Sequence, residues 1–265
     1  MKVDEAMKML EDGVRSVFES ENYNEYLIVM SRFTDYSAAN CILIFAQRPE
    51  ATYVAGYRDW QRKFNRNVQK GAKSIRIIAP MKTKDENDEE RIRFRVVSVF
   101  DVADTEGDPL PSFGIDELKG DVSGYERFMD VLTKISPVPM RFEKIRGGAK
   151  GYFSRTEPVI AIQSSMSEVQ TVKTFLHEIC HAKLHADDRE KDRRTKEIEA
   201  EGTCSVVCSY FGIETDAYSH SYIVSWSSDK ETKELKASLE TIRRTAKELI
   251  ADITREMEGI HDNRV

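Results

Sequence analysis

The sequence predicts an α+β protein of two domains, a small mixed N-terminal domain followed by a helix-rich C-terminal domain. Helical and strand patterns alternate over the first hundred residues, whereas amphipathic helical patterns dominate the second half of the 265-residue chain. Between them, residues 108–124 concentrate Pro, Gly, Asp and Ser without periodicity, which is typical of a linker. We therefore predict domains at 1–115 and 124–265, each long enough to bury a core.

In the N-terminal half, apolar residues recur three times at helical spacing before Pro49, and this pattern predicts three helices. Two β-rich runs follow at 74–79 and 91–102. The charged, polar loop that joins them is typical of a hairpin tip, so the two runs are expected to pair as antiparallel strands.

The C-terminal half begins with a predicted helix at 125–135 and a strand or hairpin at 152–162, which is interrupted at Pro158. Its apolar run 159–162 has two interpretations. It fits an edge strand that receives an extended peptide by strand addition, and it also fits an ordinary core strand, which the pattern favours.

Three further helices follow along the chain. Ser167, with Gln170 three residues later, marks the start of an amphipathic helix. A second helix is predicted at 197–211, where Gly212 ends it, and a long final one at 229–253.

Composition excludes several classes of protein. The chain has 40 basic and 46 acidic residues and a formal net charge of −6, and its four cysteines are too few to brace it by disulfides. No run of about 18 apolar residues is present, and the first twenty residues carry acids rather than a basic and apolar signal. We expect a soluble, cytoplasmic protein with reduced thiols and no membrane partner.

The strongest chemical signal is an HExxH motif formed by His177, Glu178 and His181 within the helix that follows Ser167. Four residues of α-helix turn by about 400° and rise by about 6 Å, so both imidazoles project from one face. Two such imidazoles suit a single tetrahedral zinc ion. Glu178 is placed to act as the catalytic base toward a metal-bound water. The alternative is a solvated helical face with two chance histidines.

A third metal ligand is expected on the next predicted helix. His185 would lie about 12 Å along the helix axis from His177, too far to share an ion, so it is expected to pack or to snorkel at the helix end. Glu197 and Glu201 share a face at i, i+4 spacing. We predict Glu197 as the ligand and Glu201 as the partner of a ligating histidine, with their order left open. Glu199 is expected to face solvent.

A peptidase also needs a hydrogen-bond donor for the oxyanion of its tetrahedral intermediate. Tyr218, His220 and Tyr222 are candidates that follow the second predicted helix, although residue statistics favour ordinary packing for any one of them.

A basic and aromatic stretch in the N-terminal half predicts a binding surface for single-stranded DNA. From position 58 to 84 the chain carries nine basic residues and one acid. Cations bind phosphates by releasing counterions, and aromatic rings stack on unpaired bases. In the alternative, Trp60 and Phe64 form the buried face of a short helix. The predicted DNA-binding residues are Arg58, Trp60, Arg62, Lys63, Arg66, Lys70 and Lys73.

Two halves of the chain resemble one family. The strings MSRFTDYS (30–37), QRPEATYVAGYRDWQ (47–61), VQKGAK (68–73) and VFDVADTEGDPLP (99–111), with Asn40, resemble the N-terminal single-stranded-DNA-binding domain of ArdC-type antirestriction proteins. The later strings TFLHEICHAKLH (174–185), EIEAE (197–201) and YIVSW (222–226) resemble the zincin-like metallopeptidase domain of such proteins, which is also similar to ImmA/IrrE-type peptidases.

The resemblance implies a protein of a mobile element that binds single-stranded DNA and shields incoming DNA from restriction. It also implies a gluzincin-like ligand at Glu197 with an acidic partner at Glu201. Two functions follow. One is a zinc-dependent peptidase, of unknown protein or peptide substrate, that is coupled to DNA binding. The other is a DNA-binding antirestriction protein whose zinc is only structural. Three protein ligands, rather than four, favour the enzyme.

Overall fold

The computed structural model describes residues 1–19, 22–84, 90–110, 122–214 and 220–262. The chain forms two compact units: Met1–Phe113 with Tyr218–Lys236, and Gly114–Ala217 with Ala237–Val265. Helices account for 57% of the described residues and strands for 19%, which confirms the mixed class with a helix-rich C-terminal part. The first unit thus includes the late segment Tyr218–Lys236, which the predicted division into 1–115 and 124–265 assigns to the second domain. That pair of domains stays a prediction.

The first unit begins with helices, as the apolar spacing predicts, and continues with short strands around one more helix. Its sheet has the order β1-β4-β3, with both pairs antiparallel, and β2 pairs with β5 as a separate antiparallel ladder. The predicted hairpin is confirmed as β3 and β4. The elements are α1 (Val3–Glu19), α2 (Asn22–Arg32), α3 (Ala38–Gln47), β1 (Val54–Gly56), α4 (Tyr57–Phe64), β2 (Arg66–Val68), β3 (Ile75–Lys84), β4 (Glu90–Asp101) and β5 (Thr105–Gly107).

Two side-chain amides of α3 close the outer edge of β3. The Asn40 side chain donates to the carbonyl of Ile78 and accepts from its N–H, both at 2.9 Å. Gln47 makes the same pair of hydrogen bonds with Arg76, again at 2.9 Å. The two amides therefore take the place of a neighbouring strand, and this part of the edge is not open to pairing with another chain.

The second unit packs a small sheet against long helices. β8 lies at the centre of the order β6-β8-β7, parallel to β6 and antiparallel to β7. The core-strand interpretation of 159–162 is therefore correct and the edge-strand interpretation is wrong; β7 is an edge strand instead. The elements are α5 (Val122–Ile135), β6 (Met140–Glu143), β7 (Gly151–Ser154), β8 (Val159–Gln163), α6 (Glu168–His185) and α7 (Arg193–Tyr210).

Two caps fix the starts of α6 and α7. Ser167 accepts a hydrogen bond from the N–H of Gln170, as the capping pattern predicts. Asp192 does the same for Thr195, so α7 begins four residues before the predicted start at 197. Asp is a favoured N-cap residue, and this signal was available in the sequence.

The last two helices are α8 (His220–Ser227) and α9 (Thr232–Asp262). The Trp226 ring of α8 packs 5.5 Å from that of Phe18 in the first unit. None of the helices within the described ranges is both long and apolar enough to cross a membrane.

Close packing of α1 on α3 depends on Gly13. A Cβ at this position would lie 2.6 Å from Cγ2 of the buried Ile42. We expect Gly13→Ala to lower the free energy of unfolding by about 1–3 kcal/mol, as overpacking does. Chemical denaturation measures the change.

Gly259→Ala is the matched control, because a Cβ there meets nothing within 4 Å. Alanine at this helical position should be neutral or should stabilise by up to about 1 kcal/mol. Equal effects of the two substitutions would contradict the close packing at Gly13.

Candidate functional site

Helix α6 places the two motif histidines side by side. The Nε2 atoms of His177 and His181 lie 3.0 Å apart, and the ring centroids are 4.6 Å apart. This proximity follows from the helical repeat, since residues four apart lie on one face.

Helix α7 adds a carboxylate to this pair. Oε2 of Glu197 lies 3.7 Å from Nε2 of His177 and 3.4 Å from Nε2 of His181. These three residues form a group able to hold a metal ion, with one donor atom from each and all three donors within 4.8 Å of one another. Ligands of a tetrahedral zinc ion at about 2.0–2.1 Å stand about 3.3 Å apart, so the donor set and its spacing fit such an ion.

Glu201 lies on the other side of the His177 ring. Its Oε2 is 2.8 Å from Nδ1 of His177. Nδ1 makes no regular hydrogen bond with this carboxylate despite the short contact. The contact nonetheless places a negative charge behind the ring, while Nε2 faces Glu197. The order predicted for Glu197 and Glu201 matches these distances, but their roles stay predictions.

The cluster attracts positive charge. Burial disfavours a charged ring at His177, but the carboxylates of Glu197 and Glu201 outweigh burial and raise the pKa of His177 to about 10. The imidazoles of His177 and His181 in turn hold the pKa of Glu197 well below its ordinary value. Carboxylates gathered around two imidazoles also suit a cation placed between them.

Glu178 is buried beside the cluster, with 7% of the residue exposed. Burial raises its pKa above the ordinary value, against the opposing effect of the two imidazoles and of a hydrogen bond from the Phe153 backbone. A carboxylate in this setting can accept a proton and hold it.

Strand β7 approaches Glu178 closely because residue 151 is glycine. A Cβ at Gly151 would lie 2.7 Å from Cγ2 of Thr174 and 3.3 Å from Cγ of Glu178. Gly151 was not among the predicted site residues. The glycine-rich run at 147–151 was a signal for such a position, since a glycine at a strand often marks a close backbone approach.

Glu199 was expected to face solvent, and this expectation is wrong. Only 1% of its side chain is exposed. Nζ of Lys191 lies 2.7 and 2.9 Å from its two carboxylate oxygens, and the Ser238 hydroxyl of α9 donates to it at 3.0 Å. A carboxylate can be buried when it is paired and hydrogen-bonded in this way. Ser238 is 39 positions away in the sequence, and Lys191 lies in the loop before α7. Helical periodicity therefore reveals neither partner.

His185 is buried, as packing at the helix end predicts. Its Nε2 lies 3.1 Å from the carbonyl oxygen of Lys196. Burial lowers the pKa of His185 to about 4, so the ring is neutral at neutral pH.

None of the three oxyanion candidates lies among the described residues of the second unit, which holds the cluster. Tyr218 and the His220 side chain lie outside the described residues. Tyr222 is partly exposed on α8, within the segment that belongs to the first unit. Their predicted role stays a prediction.

The basic stretch divides into buried and exposed residues. Trp60 is fully buried, its Nε1 donates to the carbonyl of Phe100 at 2.9 Å, and its ring packs on Tyr53 and Phe64. The structural interpretation of this tryptophan is therefore the correct one, because a base cannot stack on it without opening the core. The aromatic spacing alone did not separate the two roles.

Arg66 also has a role within the fold. Its guanidinium donates to the hydroxyl and carbonyl of Thr105 and to the carbonyls of Gly107 and Asp108. These contacts hold β2 beside β5 and leave little of the group for a phosphate. The remaining predicted DNA-binding side chains are exposed: Arg58, Arg62, Lys63, Lys70 and Lys73.

Family comparisons match both halves of the chain. A family model described as the N-terminal domain of anti-restriction factor ArdC matches residues 2–106. A second, described as the IrrE N-terminal-like domain of a peptidase family, matches residues 134–247. The recognition of both domains from the sequence is therefore confirmed.

Individual relatives are distant. An uncharacterized protein of Bacillus anthracis is 21% identical over 306 positions, covering 97% of this chain and 52% of the relative, so the chain spans about half the length of that protein. Two crystal structures of the antirestriction protein ArdC from plasmid R388, one metal-free and one Mn(II)-bound, match with a TM-score of 0.57 and 18% identity. The alignments cover 84% of this chain and 86% and 85% of the solved chains. This likeness shows a shared fold.

Lys191→Met should destabilise the second unit because it leaves the Glu199 carboxylate buried without its cation. We expect a loss of about 1–3 kcal/mol, the cost of a buried polar group without its partner. Thermal or chemical unfolding measures this loss.

Lys183→Met is the matched control, since Lys183 pairs at 3.4 Å with Asp252, whose side chain is 32% exposed whereas that of Glu199 is 1% exposed. Loss of such a pair should cost under about 1 kcal/mol. A Lys191 variant no less stable than the Lys183 variant would show that the Glu199 pair does not support the fold.

Proposed function

We propose that this chain, which joins an ArdC N-terminal domain to an IrrE N-terminal-like domain, is a zinc-dependent peptidase that acts together with single-stranded DNA. Its role would be antirestriction or regulation for a mobile element, carried out in the cytoplasm. The observation that carries the proposal is the cluster of His177, His181 and Glu197 with Glu178 buried beside it.

His177, His181 and Glu197 would hold the zinc ion, and Glu201 would orient His177 from behind its ring. When bound, zinc lowers the pKa of a water and polarises a substrate carbonyl. The donor set supports this ion because two imidazoles and a carboxylate are zinc ligands, and three protein ligands are typical of catalytic sites.

Glu178 would move the proton in the reaction. Its carboxylate takes the proton of the attacking water and then gives it to the nitrogen of the departing amine. Burial supports this role, because it brings the pKa of a carboxylate closer to neutral pH.

An extended peptide would bind along β7. This strand lies at the edge of its sheet and passes beside Glu178 at Gly151. Main-chain hydrogen bonds to an edge strand accept many sequences, which suits a peptide or an unfolded protein segment as substrate.

The DNA-binding half of the proposal depends on exposed cations. Arg58, Arg62 and Lys63 lie on α4 with exposed side chains, and Lys70 and Lys73 follow on the next loop. The net charge of the whole chain is −6, so attraction to a polyanion would be confined to this region.

The alternative function is a DNA-binding antirestriction protein without turnover, in which zinc only stabilises the fold. Structural zinc sites usually have four protein ligands. The group found within the described residues has three, and this favours the enzyme.

Metal content tests the site directly. The wild-type protein should bind about one zinc ion per chain, the number that a single His₂Glu cluster holds. His177→Ala should lose this ion, whereas Glu178→Gln should keep it. Mass spectrometry of the desalted protein for metals gives the count. If the wild-type protein takes up no zinc on reconstitution, the proposed centre is wrong.

Hydrolysis tests the role of Glu178. We expect the zinc-loaded wild-type protein to cleave peptides from a proteome-derived library, and Glu178→Gln to be at least about 100-fold slower, as when a general base is lost. New N-termini identified by mass spectrometry measure cleavage. Zinc binding with no cleavage, with or without single-stranded DNA, would support the alternative function.

The DNA proposal predicts a change in salt dependence. Replacing Arg58, Arg62 and Lys63 together by Ala should reduce the slope of log affinity against log salt by up to about 2, at about 0.7 for each phosphate contact. Fluorescence anisotropy of a labelled single strand measures the slope.

The control removes the same charge from the second unit by replacing the exposed residues Arg189, Arg193 and Arg194. This variant should keep the wild-type slope. Equal slopes for all three proteins would place the DNA contacts elsewhere.

A further inference from the structure

A pocket of about 280 Å³ lies in the first unit, between the turn that follows α2 and the segment formed by β1 and α4. Sites for drug-sized ligands measure about 300–1,000 Å³, so this one suits a single ring system. Its walls include Thr34, Tyr36, Tyr53, Gly56 and Phe64.

The aromatic walls are held in place before any ligand binds. The Tyr36 hydroxyl donates to the carbonyl of Val54 at 2.9 Å. Burial, with the nearby Tyr53, raises the pKa of Tyr36 to about 12, so this hydroxyl keeps its proton. The ring of Tyr53 packs 5.4 Å from Phe64 and 5.7 Å from Trp60. These rings are half-buried in the pocket wall while Trp60 supports them from the core.

Gly56 leaves open space in the pocket wall, although its backbone conformation does not require a glycine. Its φ of −65° and ψ of 153° are open to every residue. A Cβ there would make one ordinary contact, 3.6 Å from a carboxylate oxygen of Asp59. The missing side chain therefore provides room beside the aromatic rings rather than conformational freedom.

The charges around the pocket balance. Arg32 and Lys63 line it together with Asp35 and Asp59, and Lys63 pairs with Asp59 at 3.1 Å. A phosphate gains little from such a balanced set. A neutral, planar ring with polar edges fits better, because it stacks on aromatic walls and exchanges hydrogen bonds with polar groups.

We propose that this pocket binds one unpaired nucleobase of a DNA strand whose phosphates contact the exposed cations of α4. The inference deepens the proposed DNA-binding function and rests on it. Helix α4 connects the two contacts, since Lys63 and Phe64 line the pocket while Arg58 and Arg62 are exposed on the same short helix.

The pocket gives a physical basis for preferring single strands. A base inside a duplex is stacked and paired, and extracting it costs free energy that a single strand does not pay. Phosphate contacts alone do not distinguish single strands from duplexes, because both carry phosphates.

The test crosses two proteins with two DNA strands. The strands are labelled single strands of about 12 nucleotides, within the usual site size of such proteins, one ordinary and one abasic throughout. The proteins are the wild-type chain of 265 residues and its Thr34→Phe variant, which fills the pocket. We expect the wild type to bind the ordinary strand about 5- to 150-fold more tightly than the abasic one, the range for stacking one base.

Thr34→Phe should lose most of this preference while keeping the wild-type affinity for the abasic strand and the wild-type salt slope, because the phosphates are unchanged. Gly56→Leu fills the pocket from the opposite wall and should give the same result if Thr34→Phe does not fold. Tyr57→Ala is the matched control, since Tyr57 is a 49% exposed aromatic residue of α4 outside the pocket; it should behave as the wild type.

The possible failures are distinguishable. No binding of either strand by the wild type, even at low salt, would overturn the proposed DNA-binding function itself. Salt-dependent binding with equal affinity for both strands, or an undiminished preference in both filled variants, would overturn only the base pocket. Equal affinity for the strands would instead fit a pocket for an aromatic side chain of a protein partner.

Discussion

The contact between α6 and α7 is the constraint on which the candidate chemistry depends. It brings a carboxylate oxygen of Glu197 to 3.4 and 3.7 Å from two imidazole nitrogens that are themselves 3.0 Å apart. Neither helix forms the cluster alone. The desolvation of these polar groups is offset by their mutual attraction, and would be offset further by a cation. The rotation of α7 about its own axis therefore decides whether the site exists.

That rotation is held from the opposite side of α7. Glu199 is buried against Lys191 and against Ser238 of α9, while Glu197 and Glu201 face α6. The alternating Glu-x-Glu-x-Glu run thus faces two sides of the helix. Its outer two residues, four apart, share the face toward the histidines, and its middle residue anchors the helix. The sheet adds a second constraint through Gly151, where the absence of a side chain lets β7 lie against α6 beside Glu178.

In the first unit, packing of the same kind decides which aromatic and basic residues are buried and which are exposed. Trp60 supports Tyr53 and Phe64 from inside, and Arg66 binds the backbone of the neighbouring strand. Arg58, Arg62, Lys63, Lys70 and Lys73 stay exposed on the surface. The side-chain amides of α3 close the edge of β3, so its backbone does not offer a strand to other chains where Asn40 and Gln47 contact it.

Local patterns in the sequence determined the α+β class, the hairpin of β3 and β4, the cap at Ser167 and the pairing of His177 with His181. Each depends on residues within a few positions of one another, where helical and strand repeats decide which side chains meet. Only the tertiary structure decided that Glu199 is buried, that Trp60 and Arg66 serve the fold, that β7 is an edge strand and that the segment Tyr218–Lys236 joins the first unit. These outcomes depend on partners in other elements or in loops, and no periodicity within one element records which face of it another element will cover.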